Sequence, residues 1–264
     1  MRDRAAIVCL TRGYRSFSGY TPLIQRNRSV FEVINQYRRR QYPLIIWHEG
    51  NIPLEHQRYI AAFERNADVR FLDVSRVFRL PRTLKECDLM EGWSVGYRLM
   101  CRFHSYYVWQ YTRQFAYVMR LDEDCILNSS LGDPIELLSE VDGDFAAVDF
   151  VSESHRLTNR TLGRFVEQFA ASLYPGAGPN PYNQVFPYTN FYVTRTDFWR
   201  RPEVQQFLDA VRRERDSIRF RWGDLPVLGV ALNMFAAPEK VYRLSQVGYT
   251  HRSHGRTVLP DNLA

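Results

Sequence analysis

The chain has 264 residues, 45% apolar and 24% charged, which is enough for one substantial core and short for two. Its four cysteines, Cys9, Cys87, Cys101 and Cys125, are widely spaced without a C-x-x-C pair, which argues against a zinc module or a disulfide scaffold, and no apolar run approaches the roughly 18 to 20 residues of a membrane-spanning helix. The net charge of +6 favours an anionic partner, be it nucleic acid, a phosphorylated ligand, a nucleotide sugar or a membrane surface, but no nucleic-acid-binding motif accompanies the arginine clusters, so nucleic acid is not expected.

In chain order, Ala5-Ala6-Ile7-Val8-Cys9-Leu10 is a continuous apolar run closed by Thr11-Arg12-Gly13, the pattern of a buried parallel strand. Residues 21–40 carry Leu23, Ile24, Val30, Phe31, Val33, Ile34 and Tyr37 at helical spacing. A second apolar strand follows over 43–47 and ends at His48. A helix is expected from about Leu54 to Asn66 and a third strand over 69–74, so the alternation is that of βαβ units. Residues 77–92, which include Pro81, lack periodicity and read as irregular. Residues 96–113 read as a helix that leads into a strand ending at Asp122. Further strands are expected over 144–150 and 190–193, and helices over 201–215 and 225–235. The segment 174–188, with four prolines, reads as a long loop.

The chemistry concentrates where the apolar run from Tyr117 to Leu127 is broken by Asp122-Glu123-Asp124. Adjacent carboxylates repel, so they either face solvent or share a cation. Strand alternation sends Asp122 and Asp124 to one side and Glu123 to the other, which offers two oxygen ligands to one Mn²⁺ or Mg²⁺. In open parallel sheets, ligands gather at the carboxyl ends of strands. Thr11, His48, Asp73 and Asp122 all fall at such ends, so a cleft assembled from four loops is expected. Asp224 stands at the start of a predicted helix, where a carboxylate caps free N–H groups.

Five blocks in order carry a resemblance: Gly96-Tyr97-Arg98-Leu99-Met100-Cys101-Arg102-Phe103, Met119-Arg120-Leu121-Asp122-Glu123-Asp124, Asn190-Phe191 with Asp197-Phe198-Trp199-Arg200, Arg221-Trp222-Gly223-Asp224-Leu225-Pro226-Val227, and Val247-Gly248-Tyr249-Thr250-His251. Together they resemble the fungal α-1,2-mannosyltransferases, weakly before Gly96 and well after it. The resemblance implies an α/β GT-A fold with a mixed, mostly parallel central sheet. It implies one domain over 1–264, with residues 1–125 as the nucleotide-binding half and 126–264 as the acceptor half. It also implies a Mn²⁺-dependent (or Mg²⁺-dependent) hexosyltransferase that retains anomeric configuration, takes GDP-mannose, with a UDP-sugar as the alternative donor, and uses a glycan as acceptor.

Residue by residue, the resemblance puts Asp122, Asp124 and His251 on the metal. Thr11, Arg12, His48, Asp73, Arg120, Asp122 and Arg252 fall on the nucleotide sugar, and Asp224, Tyr192 and Arg102 at the reacting centre. Two departures matter. Asp122-Glu123-Asp124 stands where the family has Glu-Pro-Asp, which keeps the ligand types. Tyr192 stands where the family has a glutamate, and tyrosine is a poor substitute for a carboxylate at neutral pH; front-face attack is therefore favoured over double displacement. The rival readings are a nucleotide-sugar or glycan-binding module without turnover and a metal-dependent phosphohydrolase. The chain reads as cytoplasmic, with a Golgi-lumen catalytic domain cut from its anchor as the alternative.

Overall fold

The computed structural model describes residues 5–38, 41–90, 92–173 and 182–260. The chain opens with β1 (Ala5–Thr11), α1 (Thr21–Val33), β2 (Leu44–His48), α2 (Leu54–Ala61) and β3 (Val69–Asp73). Both helices end earlier than their apolar spacing suggested. The Asn35 side chain donates to the Tyr42 carbonyl (3.0 Å) and accepts from the Tyr42 N–H (3.1 Å), turning the chain toward β2. Beyond α2, the Glu64 carboxylate takes the Asn66 N–H at 3.0 Å, a local bond that competes with the helix.

The next helix runs from α3 (Val95–Arg102) through one π-type segment, Phe103–Tyr107, into α4 (Val108–Tyr111). β4 (Tyr117–Leu121) and β5 (Cys125–Ser130) flank the acidic triplet, and α5 (Pro134–Glu140) follows. The strand expected over 144–150 is two strands, β6 (Phe145–Ala147) and β7 (Phe150–Ser152). They separate because the Asp149 carboxylate accepts the Phe150 N–H (2.8 Å) and its carbonyl takes the Tyr188 N–H (2.8 Å). α6 (Arg156–Leu173) was not anticipated; it buries Leu162 and Val166 one turn apart. Of the loop expected over 174–188, residues 174–181 lie outside the described residues and Val185–Pro187 forms β8. β9 (Phe191–Arg195), α7 (Thr196–Trp199), α8 (Pro202–Arg213), α9 (Arg215–Arg219), α10 (Asp224–Phe235), β10 (Val241–Arg243), β11 (Val247–His251) and β12 (Arg256–Val258) complete the chain.

Seven strands form the main sheet in the order β10-β6-β9-β4-β1-β2-β3. β9 is antiparallel to both β4 and β6, and the remaining pairs are parallel, so the fold is α/β with the mixed, mostly parallel sheet expected. β5 pairs antiparallel with β11, which pairs with β12; β7 and β8 form a separate ribbon. Alternation divides β1 between two cores: Ala6 and Val8 pack on one face of the sheet, Ala5 and Ile7 on the other. One buried guanidinium ties the middle of β1 to the end of β4. Arg26 of α1 donates from Nη2 to the Val8 carbonyl (2.9 Å) and from Nε to the Leu121 carbonyl (3.2 Å).

α10 lies against β8 with almost no clearance, because a Cβ on Gly229 would fall 2.2 Å from a ring carbon of the buried Phe186. Replacing a mid-helix glycine by alanine ordinarily gains about 1 kcal/mol. Here overpacking, typically about 1–3 kcal/mol, outweighs that gain. Gly229→Ala is therefore expected to lower the urea midpoint of unfolding; a raised midpoint would contradict this packing.

Candidate active site

The acidic triplet occupies the turn between β4 and β5, closed by the Cys125 N–H donating to the Asp122 carbonyl at 3.1 Å. Each of its side chains takes a different direction. Asp122 turns back to Arg120, Glu123 accepts from the Thr11 hydroxyl and, at 2.6 Å, from the Tyr14 hydroxyl, and Asp124 reaches His251. Strand register explains the last meeting. β5 and β11 run antiparallel with Cys125 opposite His251, so the residue just before β5 abuts the end of β11. The Asp124 carbonyl accepts from the Arg252 N–H (3.2 Å), and its carboxylate accepts from the Ser253 N–H (3.2 Å) and lies 3.4 Å from His251 Nε2. Burial alone would raise the Asp124 carboxyl, but bonds from His251 and Ser253 outweigh it and hold the pKa well below the usual range.

Asp124 Oδ, His251 nitrogen and Cys125 Sγ lie within 4.8 Å of one another, close enough for one ion. Burial pushes the Cys125 thiol far up, Asn190 Nδ2 approaches its sulfur at 3.6 Å, and sulfur is a soft donor that Mn²⁺ does not favour. The usable donors are one carboxylate and one imidazole, an O/N set that suits Mn²⁺. Tyr188 Oη (3.1 Å) and Asn190 Nδ2 (3.0 Å) bracket His251 Nδ1, which leaves Nε2 facing Asp124, as supporting groups do around metal-binding histidines. Asp122 falls outside this cluster, although it lines the same cavity.

That cavity, about 330 Å³, has the size of a small-molecule site. Arg120 is buried in its wall and bridges two acids: Nε donates to Asp122 at 2.8 Å and Nη1 to Asp224 at 2.5 Å. Asp224 is the first residue of α10, but its carboxylate serves Arg120; it does not cap the helix, which the sequence had suggested. Desolvation acts to raise both carboxyls. It prevails at Asp122, which is shifted up, whereas the Arg120 charge, with hydrogen bonds from Arg120 and Thr189, prevails at Asp224, which is shifted down. Four carboxylates line the cavity, Asp122, Asp124, Glu153 and Asp224, against the two guanidiniums of Arg120 and Arg221. The pocket of this basic chain is therefore acidic.

The structure brings Arg120, Asp122, Asp124, Asp224 and His251 together around the cavity. Thr11, His48 and Asp73 lie level with one another at the ends of β1, β2 and β3. His48 Nδ1 accepts from Gly50 N–H (3.2 Å), Asp73 accepts from Ser75 N–H (2.7 Å), and Arg12 lies 5.2 Å from the Tyr14 ring centre. This row joins the acidic turn through the Thr11–Glu123 bond. The Arg252 side chain bonds Gln25 of α1. Two expected residues sit elsewhere. Arg102 faces α8, donating to the Arg212 carbonyl at 3.3 Å in a separate pocket. Tyr192 is wholly buried beneath Arg120, its hydroxyl against the guanidinium without a well-formed hydrogen bond, and burial pushes its phenol far up. Arg221 reaches the cavity as the first residue of the Arg-Trp-Gly-Asp block, and Tyr188 as the last of the loop expected over 174–188, although neither was singled out as a site residue. Sequence reasoning missed Glu153, which no local pattern marks.

A doubly covered, mostly parallel sheet that ends a strand in an acidic turn, with a histidine from the last hairpin beside it, is the GT-A architecture. The solved structure of the Saccharomyces cerevisiae mannosyltransferase Ktr4p superposes with a TM-score of 0.80 at 18% identity, over 94% of this chain and 70% of that one. Core-mannan synthase A (CmsA/Ktr4) from Aspergillus fumigatus, in a Mn/GDP form, gives 0.81 at 17% identity, over 98% and 80%. Residues 64–261 match the profile of the glycolipid 2-alpha-mannosyltransferase family, and the chain belongs to that family. Its relatives include O-glycoside alpha-1,2-mannosyltransferase omh1 of Schizosaccharomyces pombe, 23% identical over 205 residues (72% of this chain, 53% of that protein). Glycolipid 2-alpha-mannosyltransferase 2 of Candida albicans is 24% identical over 217 residues (76% and 45%). The chain thus spans about half the length of these curated relatives. Among the described residues, no helix is long and apolar enough to cross a membrane.

Removing one partner from a buried ion network costs about 3–5 kcal/mol. Arg120→Met, which leaves Asp122 and Asp224 without their shared cation, is expected to lose stability on that scale in urea unfolding. Arg120→Lys should lose less, since one ammonium keeps the charge but cannot span both acids. The pH dependence has a defined sign. Asp124, whose folded-state pKa is depressed, contributes stability that is present above the ordinary aspartate range near 4 and lost as pH falls below it. Asp124→Asn should therefore flatten the acid limb of a stability-versus-pH curve, and an unchanged limb would refute the assignment.

Proposed function

We propose that the chain is a Mn²⁺-dependent glycosyltransferase that moves mannose from GDP-mannose to a hydroxyl of a glycan acceptor. The observation that carries this reading is the 3.4 Å approach of Asp124 and His251 in the wall of an acidic cavity. An acidic pocket repels a bare diphosphate, and a divalent ion removes that repulsion. Membership of a mannosyltransferase family, and the Mn/GDP form of the Aspergillus protein with the same fold, support the choice of metal, base and sugar.

In this reading Asp124 and His251 hold the ion, with Asp122 beside them. Bound there, the ion neutralises charge developing on the departing diphosphate. Thr11, Arg12, His48 and Asp73 receive the nucleoside, and Arg252 approaches the phosphates. The half up to residue 125 takes the donor, and residues 126–264 take the acceptor. Asp224, kept ionised by Arg120, presents an acceptor oxygen to a sugar hydroxyl. Tyr192 cannot supply a nucleophile, because its hydroxyl is closed off in the core. Retention then follows from front-face attack, in which the acceptor oxygen bonds to the anomeric carbon on the side the diphosphate leaves and gives up its proton to the departing group. The same substitution favours one alternative, binding of nucleotide sugar without turnover.

A thermal-shift series with GDP, UDP and CDP, each with and without Mn²⁺, tests the donor. A ligand at 100 times its Kd stabilises by about 2.7 kcal/mol. GDP with Mn²⁺ should give the largest shift, and both Asp124→Ala and His251→Ala should lose its Mn²⁺-dependent part. A larger shift with UDP would reassign the base. Incubation with GDP-mannose and a mannoside acceptor should yield an α-linked product by NMR; GMP with mannose 1-phosphate in its place would instead indicate a phosphohydrolase.

A further inference from the structure

Five tryptophans are present, and four of them, Trp47, Trp109, Trp199 and Trp222, are buried. Trp93 is 39% exposed. It stacks on Tyr97 with ring centres 4.6 Å apart and planes at 26°, and the Arg221 guanidinium carbon lies 4.5 Å from the indole centre. Arg221 also donates to the Tyr97 hydroxyl (3.1 Å) and to the Glu153 carboxylate (3.4 Å). Tyr97, Glu153 and Arg221 line the cavity that holds Asp224 and His251, and the indole, outside that lining, packs on Tyr97 and Arg221.

The arrangement is held in place at some cost. Arg221 has a left-handed backbone, φ 55°, which is unfavourable for a residue with a side chain. The buried Arg98 donates to the Trp93 carbonyl at 3.1 Å, to that of Ile218 at 2.7 Å and to that of Arg219 at 3.0 Å, so one guanidinium fixes the segments that carry both Trp93 and Arg221. Ser94, the next residue, caps α3 by accepting the Tyr97 N–H at 3.2 Å. A ring so firmly placed yet left in water contributes little to the core, and it is preorganised for a ligand.

We propose that Trp93, with Arg221 and Glu153 at its edge, is an acceptor subsite that stacks one pyranose ring of the acceptor glycan outside the reaction cavity. The proposal rests on the transferase reading. A pyranose has a C–H face that suits the electron-rich face of an indole, and a rim of hydroxyls that can accept from a guanidinium and donate to a carboxylate. Guanine could also stack on the ring and use both charges, but the transferase reading puts the nucleoside at the ends of β1, β2 and β3, which leaves this ring to the acceptor.

Acrylamide quenching isolates the site, because Trp93 is the tryptophan open to solvent. α-1,2-Mannobiose should reduce quenching of the wild-type protein, and Trp93→Ala should lack that quenchable component. Trp93→Ala should raise the KM for mannobiose as acceptor about tenfold with kcat little changed, and Trp93→Phe should restore most of the affinity. The Mn²⁺–GDP melting shift should be the same in all three proteins. If Mn²⁺ and GDP stabilise the protein but mannobiose leaves quenching unchanged, the subsite is overturned and the transferase reading stands. Protection by GDP in place of mannobiose would overturn it equally, by making Trp93 a base platform. If Mn²⁺ and GDP give no shift while mannobiose still protects, the transferase reading fails and the acceptor role of Trp93 falls with it, leaving only a sugar-binding ring. Should Trp93→Ala not fold, wild-type quenching and Trp93→Phe decide.

Discussion

The site depends on one guanidinium placed where water cannot reach it. Arg120 leaves β4 into the interior with Asp122 on one side and Asp224 on the other, and all three groups are paired before any ligand arrives. Its own charge is strongly favoured there despite burial, because two carboxylates face it. Such a bridge contributes little net stability compared with an apolar core of the same shape. What it does is join the end of β4 to the start of α10, and so set the width of the cavity between the acidic turn and that helix. His104, buried in the π-type segment beside this network, is held neutral first by desolvation and then by the Arg120 charge, so it adds no cation.

The charge balance follows from that arrangement. A chain of net +6 would be expected to meet an anionic substrate with basic groups, yet the arginines along α6, α8 and α9 lie away from the cavity and many pair with neighbouring acids. The cavity itself keeps more carboxylates than guanidiniums. A diphosphate cannot settle against such a wall without a cation to share, whereas sugar hydroxyls can donate to it directly. Net charge therefore described the solvated surface, and the local surplus of acid describes the site.

Much of the front half was legible because buried parallel strands announce themselves as apolar runs, and β1, β2 and β3 fell within a residue or two of their expected bounds. Helix ends were less legible, since α1 and α2 stop where Asn35 and Glu64 make local bonds that apolar spacing does not encode. α6 was missed although it buries Leu162 and Val166, because arginines and polar residues crowd the same stretch. In the site, Asp124 was read from the acidic triplet and His251 through the resemblance, while their contact is a consequence of β5–β11 register that no single-sequence pattern carries. Arg102 and Tyr192 sit in recognisable motifs, but one looks toward α8 and the other into the core.

The acidic triplet poses an electrostatic problem that the fold solves by division. Three consecutive carboxylates on one strand would put two on a common face, with mutual repulsion. Set in a tight turn, they diverge: Asp122 is met by Arg120, Glu123 by the Thr11 and Tyr14 hydroxyls, and Asp124 by His251 and the Ser253 N–H. The middle position explains why this chain can depart from the proline of the resembling family. Proline would shape the turn but offer no acceptor, whereas Glu123 uses the same position to fasten the loop after β1. Glu123 is shifted up by burial, with the two hydroxyls drawing it back down, so its bonds to that loop replace the solvation it has lost. The turn that brings Asp124 to His251 thereby also fixes Thr11 beside it, and a single four-residue reversal positions both the row of β1, β2 and β3 ends and the Asp124–His251 pair.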